Sequence, residues 1–301
     1  MLSNPRLLER IPRNQAWQTP VPGLSTFHTE NTTEELTPCV QEPSLCLILQ
    51  GEKEVRLGER LYRYDAEHFI CYSMTLPISV RISSASSDSP YIGLILTLEP
   101  QHIARILPAI PDVPDAPPRD PQPGGLVVTR LTPELRSAVE RLLALIHTPV
   151  DIPILAPLIK HEIHYRLLCG SQGRHLRQLF SHGSHSHRIG KATHWLQRHY
   201  AEPLRVDTLA LQIGMSVSSF HQRFREETLM TPLQYQKRLR LTEARRLIRG
   251  QRLPVAGVAR MVGYDSASQF SREYKRFFGT SPSQDSAGGH IEPGEQTQNL
   301  G

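Results

Sequence analysis

The chain spells one pattern twice. "GMSVSSFHQRFREETLMTP", Gly214 to Pro232, returns as "GYDSASQFSREYKRFFGTSP", Gly263 to Pro282. Ala210 and Gly214 match Ala259 and Gly263 at an offset of 49. Phe220, Phe224 and Pro232 match Phe270, Tyr274 and Pro282 at an offset of 50. One residue is therefore inserted between the glycine and the first aromatic of the second copy. The shared letters have structural roles. The alanine lets two helices approach, and the glycine takes a turn where φ is positive. The aromatic pair at i, i+4 faces a core, and the proline opens the next helix. A helix-turn-helix written twice meets all of these demands.

The letters that differ between the copies carry the other half of the argument. Ser218, His221, Gln222 and Arg225 fall on the face of the first copy away from its aromatic pair. Ser268, Gln269, Arg272, Lys275 and Arg276 do the same in the second. Such a helix can enter a major groove, where glutamine suits adenine, arginine suits guanine, and serine or histidine serves several bases. Two unlike faces predict two unlike short DNA sequences. Between them "LQYQKRLRLTEARRLIRG" has the periodicity of a long amphipathic helix ending at Gly250. Lys275, Arg276 and Arg225, near the ends of the reading helices, are the phosphate candidates, joined by Arg238 on the long helix. Arg240, Arg245, Arg246 and Arg249 on the same helix are candidates either for phosphate contacts or for a wet face with partners such as Glu243.

Charge points the same way. From His187 to Pro282 there are 17 Lys and Arg against 7 Asp and Glu, a net of +10; the remaining residues carry 17 against 22, a net of −5. Positive charge gathered into one third of a chain suits a polyanion.

These residues resemble the DNA-binding domain of the AraC/XylS family of bacterial transcription regulators. "DTLALQIGMSVSSFHQRFREETLMTPLQYQKRLRLTEARRLI" and "VARMVGYDSASQFSREYKRFFGTSP" carry the likeness over about a hundred residues. "SLCLILQGEKEVRLGERLYRYDAEHFICYSMTLPISVRI" and "DIPILAPLIKHEIHYRLLCGSQGRHLRQ" resemble the cupin-like N-terminal domain of one branch of that family. By position, the resemblance puts base reading on Ser218, His221 and Gln222, then on Ala267, Ser268 and Arg272. Ala267 has no hydrogen-bonding group and is a poor specific reader. The glycine usual before the first threonine-proline is Leu229 here, which predicts a differently capped helix end.

Upstream, the residues themselves predict an antiparallel barrel or sandwich. Short β-type runs from Ser44 ("SLCLILQ", "EVRL", "RLYRY", "HFICYS", "ISVRIS", "YIGLILTL") alternate with turn letters, among them Gly51, Gly58 and Pro77. "RLGERL" reads as a tight hairpin, and the first forty residues as an irregular lead-in with one strand near Leu24–Thr29. "PAIPDVPDAPPRDPQPGG" is barred from regular structure by its prolines. Helices follow, with Thr132–Pro133 at the start of one and Gly170 as the C-cap of another. "SHGSHSH" marks the domain boundary.

Fold class is thus α+β in two domains. Residues 1–183 form a cupin-like antiparallel β-barrel with appended helices, 184–283 an all-α double helix-turn-helix domain, and 284–301 a disordered tail. Four cysteines make neither a CxxC pair nor a zinc pattern. Cys39, Cys46 and Cys71 are candidates for an oxidant or electrophile sensor, which would require exposure and a lowered thiol pKa. Metal-using cupins carry an HxH pair with a later glutamate; the strand region offers only His68, with His102 far downstream. No metal, cofactor or catalytic residue is assigned, and the expectation is a regulator and not an enzyme. A cupin enzyme fused to a DNA-targeting module and an alkyl-transfer repair protein are the rival classes. The expected partners are double-stranded DNA, an unknown small-molecule effector and RNA polymerase. Without a secretory signal or an apolar run of roughly 20 residues, the expected location is the cytoplasm, as monomer or homodimer.

Overall fold

The computed structural model describes residues 8–110, 124–170, 173–181, 183–251 and 253–287. Most of the proline-rich stretch, His182, and 288–301 of the expected tail lie outside the described residues. Among these described residues, ten strands form two antiparallel sheets. They are β1 (Ala16–Gln18), β2 (Leu24–Thr29), β3 (Thr37–Gln41), β4 (Ser44–Gln50), β5 (Glu52–Leu57), β6 (Arg60–Asp65), β7 (His68–Tyr72), β8 (Leu76–Ser84), β9 (Tyr91–Thr97) and β10 (Leu126–Arg130). One sheet runs β1-β2-β9-β4-β7-β10 and the other β3-β8-β5-β6. β4 is buried along nearly its whole length because both of its neighbours are strands and both of its faces are covered.

Pro77 does not end a strand. It lies inside β8, opposite Val40 of β3. β3 itself, with Pro38, falls in the region expected to be irregular; as an edge strand it tolerates a residue without an N–H. The "RLGERL" hairpin forms as expected, with Leu57 opposite Arg60 and Gly58 at φ +60.

Helices α1 (Pro100–Ile106), α2 (Pro133–Ala144), α3 (Ile152–Cys169) and α4 (Gly173–Phe180) add buried residues to the hydrophobic cluster of the sheets. Thr132 caps α2 by accepting from the Leu135 N–H. Gly170 follows α3 at φ −75, so the left-handed cap expected there does not form. Seven more helices follow among the described residues: α5 (His185–Arg198), α6 (Val206–Gln212), α7 (Val217–Thr228), α8 (Pro232–Gln251), α9 (Val255–Met261), α10 (Ala267–Phe278) and α11 (Pro282–Ala287). Ser184 starts α5, its hydroxyl accepting from His187 N–H. α11 corrects the expected end of the ordered chain: Asp285 is buried and bonded to Arg245, Arg249 and Tyr274.

The hydrophobic core does not divide where the sequence domains do. One cluster runs from the sheets through α5 and the first helix-turn-helix to Leu239 in α8. A second, from Leu241 to Phe278, joins the C-terminal half of α8 to the second unit, with Tyr200 packed against both clusters. Tyr235 of α8 donates its phenol to the Thr75 carbonyl at 2.6 Å. The Thr75 hydroxyl donates to Gln197, which donates to Glu42. The first helix-turn-helix is thereby packed on the barrel, and the second is built on a separate cluster.

Candidate nucleic-acid interface

The two helix-turn-helix units are built by the same local rules. Gly214 and Gly263 sit at φ +69 and +84, and Met215 and Tyr264 each donate to the alanine carbonyl five residues back, Ala210 and Ala259. Ser216 and Ser266 then cap α7 and α10, accepting from the Ser219 and Gln269 N–H groups. These serines are 50 apart while the glycines are 49 apart, so the inserted residue lies in the turn itself, where Tyr264 and Asp265 replace Met215. Phe220, Phe224, Phe270 and Tyr274 are fully buried, with ring centroids 5.3 Å and 5.5 Å apart within each pair. Burying each aromatic pair fixes which face of its helix meets water.

That face carries the expected readers. Ser218, His221, Gln222 and Arg225 are exposed on α7, and Ala267, Ser268, Gln269, Arg272, Lys275 and Arg276 on α10. Two of them are held by an acidic neighbour one turn on: Gln222 donates to Glu226 at 2.9 Å and Gln269 to Glu273 at 3.4 Å. Hydrogen bonds from Gln222 and Arg223 outweigh slight burial and hold Glu226 below the usual carboxylate range.

Leu229 resolves the departure noted in the sequence. It adopts the left-handed region at φ 56 and donates its N–H to Arg225, as Gly279 at φ 77 does to Lys275. The first helix end is therefore capped in the same way as the second. A branched side chain carries a left-handed backbone there, at a cost of about 1–2 kcal/mol.

The arginines of α8 have different occupations. Arg240 donates to the carbonyls of Tyr200, Ala201, Glu202 and Gly263, tying the end of α5 to the second turn. Arg245 and Arg249 pair with Asp285, and Arg246 makes two bonds to Glu243. Arg238 is half-buried, 5.7 Å from the centroid of Phe277; burial, then the charge of Arg56, lowers its pKa. It is less open to solvent than Arg225, Lys275 and Arg276.

The three barrel cysteines lack both properties a sensor would require. Cys39, Cys46 and Cys71 are buried, and burial pushes Cys39 and Cys46 up to about 11 and Cys71 higher still. Cys46 borders a cavity of about 30 Å³ together with Lys53, Tyr64 and Tyr91. A larger cleft, about 1070 Å³, lies between the barrel and α5, beside Trp195, whose ring stacks on His199 at 4.4 Å.

Comparison with known proteins agrees with this geometry. The family described as the AraC-type transcriptional regulator N-terminus matches residues 20–175, and a helix-turn-helix domain matches 209–287. The chain belongs to the AraC-type transcriptional regulators. HTH-type transcriptional activator RhaS of Escherichia coli (strain SE11) is 34% identical over 88 residues, 29% of this chain and 32% of RhaS. The chain thus matches about a third of the length of these curated relatives. ToxT of Vibrio cholerae O395 has a TM-score of 0.54 at 10% identity, covering 88% of this chain and 97% of ToxT. Unsaturated fatty acid bound wild-type ToxT from strain SCE256 has a TM-score of 0.53 at 11% identity, covering 87% and 94%. These likenesses show a shared two-domain fold. No single helix among the described residues of this AraC-type chain is long and apolar enough to cross a membrane.

Sequence reasoning missed the capping serines and Asp285. A serine immediately before each of the two helical runs was a legible cap signal. The place of Asp285 depends on tertiary approach.

Proposed function

We propose that this regulator reads two successive major grooves, with Ser218, His221 and Gln222 of α7 and Ser268, Gln269 and Arg272 of α10 meeting bases. Arg225, Lys275, Arg276 and, less exposed, Arg238 meet phosphates. The observation that carries the reading is the pair of equally capped, aromatic-backed helices with unlike exposed faces, joined by one helix of 20 residues. Such a helix is about 30 Å long, close to the roughly 34 Å between successive grooves on one side of a duplex. Arg272→Ala should weaken the specific site by about 1–3 kcal/mol and relax one base pair. Lys275→Ala should weaken all sequences alike and reduce the salt slope by about 1. Equal loss on specific and random DNA for Arg272→Ala would assign that residue to phosphate.

The signal arrives at the N-terminal domain. Lys53 points its chemistry at the 30 Å³ cavity beside Tyr64 and Tyr91, with no carboxylate partner among the described residues. The space takes little more than a water or two, so the arrangement favours an effector that places only a single anionic group, such as a carboxylate, beside Lys53. Thermal shifts with a series of carboxylic acids, lost in Lys53→Met, would support it; equal shifts in both proteins would refute it. Ile154, Leu158 and Tyr165 are exposed along one side of α3, with Val150 exposed in the turn before it, which favours pairing with a second copy. Leu158→Glu should then yield a monomer by light scattering. RNA polymerase is the partner through which bound regulator would act.

A further inference from the structure

The barrel reaches into the space between the two readers. The turn of the β5–β6 hairpin meets the end of α7 so closely that a Cβ on Gly58 would lie 2.9 Å from the Leu229 carbonyl oxygen and 3.0 Å from its Cβ. Nearby, Gly125 donates its N–H to the Glu227 carbonyl at 2.7 Å. The end of the first reader is therefore held by the barrel at two points. Arg60, the next cation of the hairpin, borders the same groove, about 990 Å³, as Gln222, Arg225, Arg238 and Arg276.

The charge of this groove is unbalanced. On its lining, Arg60, Arg225, Arg238 and Arg276 have no carboxylate within ion-pair distance among the described residues, and Arg56 adds its charge beside Arg238. The groove's Lys237 is paired with Glu273, and Glu226 is engaged by Gln222 and Arg223. Glu59 of the hairpin is the other acid on the lining. Guanidinium groups gathered round one open groove repel each other, and an entering polyanion relieves that repulsion. The groove is continuous with the reading faces, since Gln222, Arg225 and Arg276 belong to both. This favours a DNA backbone over a free phosphorylated molecule.

We propose that the β5–β6 hairpin of the sensing domain is part of the DNA interface, with Arg60 contacting a phosphate between the two readers. The proposal rests on the DNA-reading function above, and it makes the sensing domain a direct participant in binding. Each phosphate neutralised adds about 0.9 to the slope of log K against log salt. The test is a salt titration of binding by the full chain, on its selected site and on random DNA, for wild type, Arg60→Ala, Arg60→Lys and Arg13→Ala. Arg13 is an exposed residue of the same domain outside the groove. Arg60→Ala should lower the slope by about 0.9 on both DNAs, Arg60→Lys should restore most of it, and Arg13→Ala should leave it unchanged. Arg60 is exposed, so all variants should keep the wild-type melting curve. Sequence-specific binding with an unaltered slope in Arg60→Ala would overturn the hairpin contact and leave the regulator standing. Tighter binding by Arg60→Ala would also overturn it, making the hairpin a plug. Absence of any DNA binding by the wild type would overturn both.

Discussion

Asp285→Ala tests whether the second reader ends where the structure ends it. Asp285 is 6% exposed and accepts from Arg245 at 3.0 Å, from Arg249 at 2.8 and 3.1 Å, and from the Tyr274 phenol at 2.5 Å. Breaking a buried charge pair by removing one partner costs about 3–5 kcal/mol. The arginine side chains retain 13% and 11% exposure and can turn partly to water, so the low end applies, about 3 kcal/mol. The loss falls on the second unit because its core is separate from the rest. Amides of α9 and α10 should exchange with solvent about 100-fold faster, while those of β4 stay unchanged. Protection of α10 within threefold of wild type would refute the reasoning.

The same carboxyl predicts an acid limit. Burial alone would push its pKa up, but hydrogen bonds from Tyr274 and Arg249 and the charges of Arg245 and Arg249 outweigh burial and hold it below the usual range. The stabilisation is therefore complete above the unfolded aspartate value, about 3.9, and is lost as pH falls through the lower folded value. Wild type and Asp285→Ala should converge in the stability of the second unit only at that acid end.

Three further outcomes follow from particular contacts. Gly214→Ala and Gly263→Ala both force a side chain to positive φ, but only at Gly263 would the new Cβ meet a neighbour, the Ala201 carbonyl oxygen at 2.1 Å. Urea denaturation should show a loss of about 1–2 kcal/mol for Gly214→Ala and a clearly larger one for Gly263→Ala; equal losses would contradict the geometry. His164 is 1% exposed, neither ring nitrogen has a hydrogen-bond partner among the described residues, and burial, then the charges of His102, Lys160 and His161, lowers it to about 4. Its unfolded form takes up a proton first, so stability should fall by roughly 3 kcal/mol from pH 6.5 to 4, and His164→Leu should flatten that slope. In native protein at pH 8 a thiol reagent should modify exposed Cys169 alone, with Cys39, Cys46 and Cys71 reacting only on unfolding.

The second half of the chain was legible because its rules are local. A glycine, a serine cap, an aromatic pair and a proline at fixed spacing specify a helix-turn-helix without reference to the rest of the fold, and Ser218, Gln222 and Arg272 emerged on open faces as a consequence. The barrel was legible as strands but not in its pairing: β3 and the Pro77 portion of β8 are strands because they meet each other across a sheet, not because their residues favour one. Leu229 shows the same limit. Its left-handed backbone is imposed by the helix end it closes and by the hairpin turn of Gly58 beside it, 171 residues away in sequence. Asp285 looked like tail because serine, glutamine and aspartate are polar. Its place was set by two arginines on a helix more than thirty residues upstream.

Selection of bound sites from a random DNA pool, with the full chain at near-physiological salt, tests the central claim most directly. The account predicts two unlike short motifs with centres about 10–10.5 base pairs apart, one altered by Gln222→Ala and the other by Arg272→Ala. A single motif, or binding without sequence preference that fades as salt rises, would contradict two independent readers on one chain.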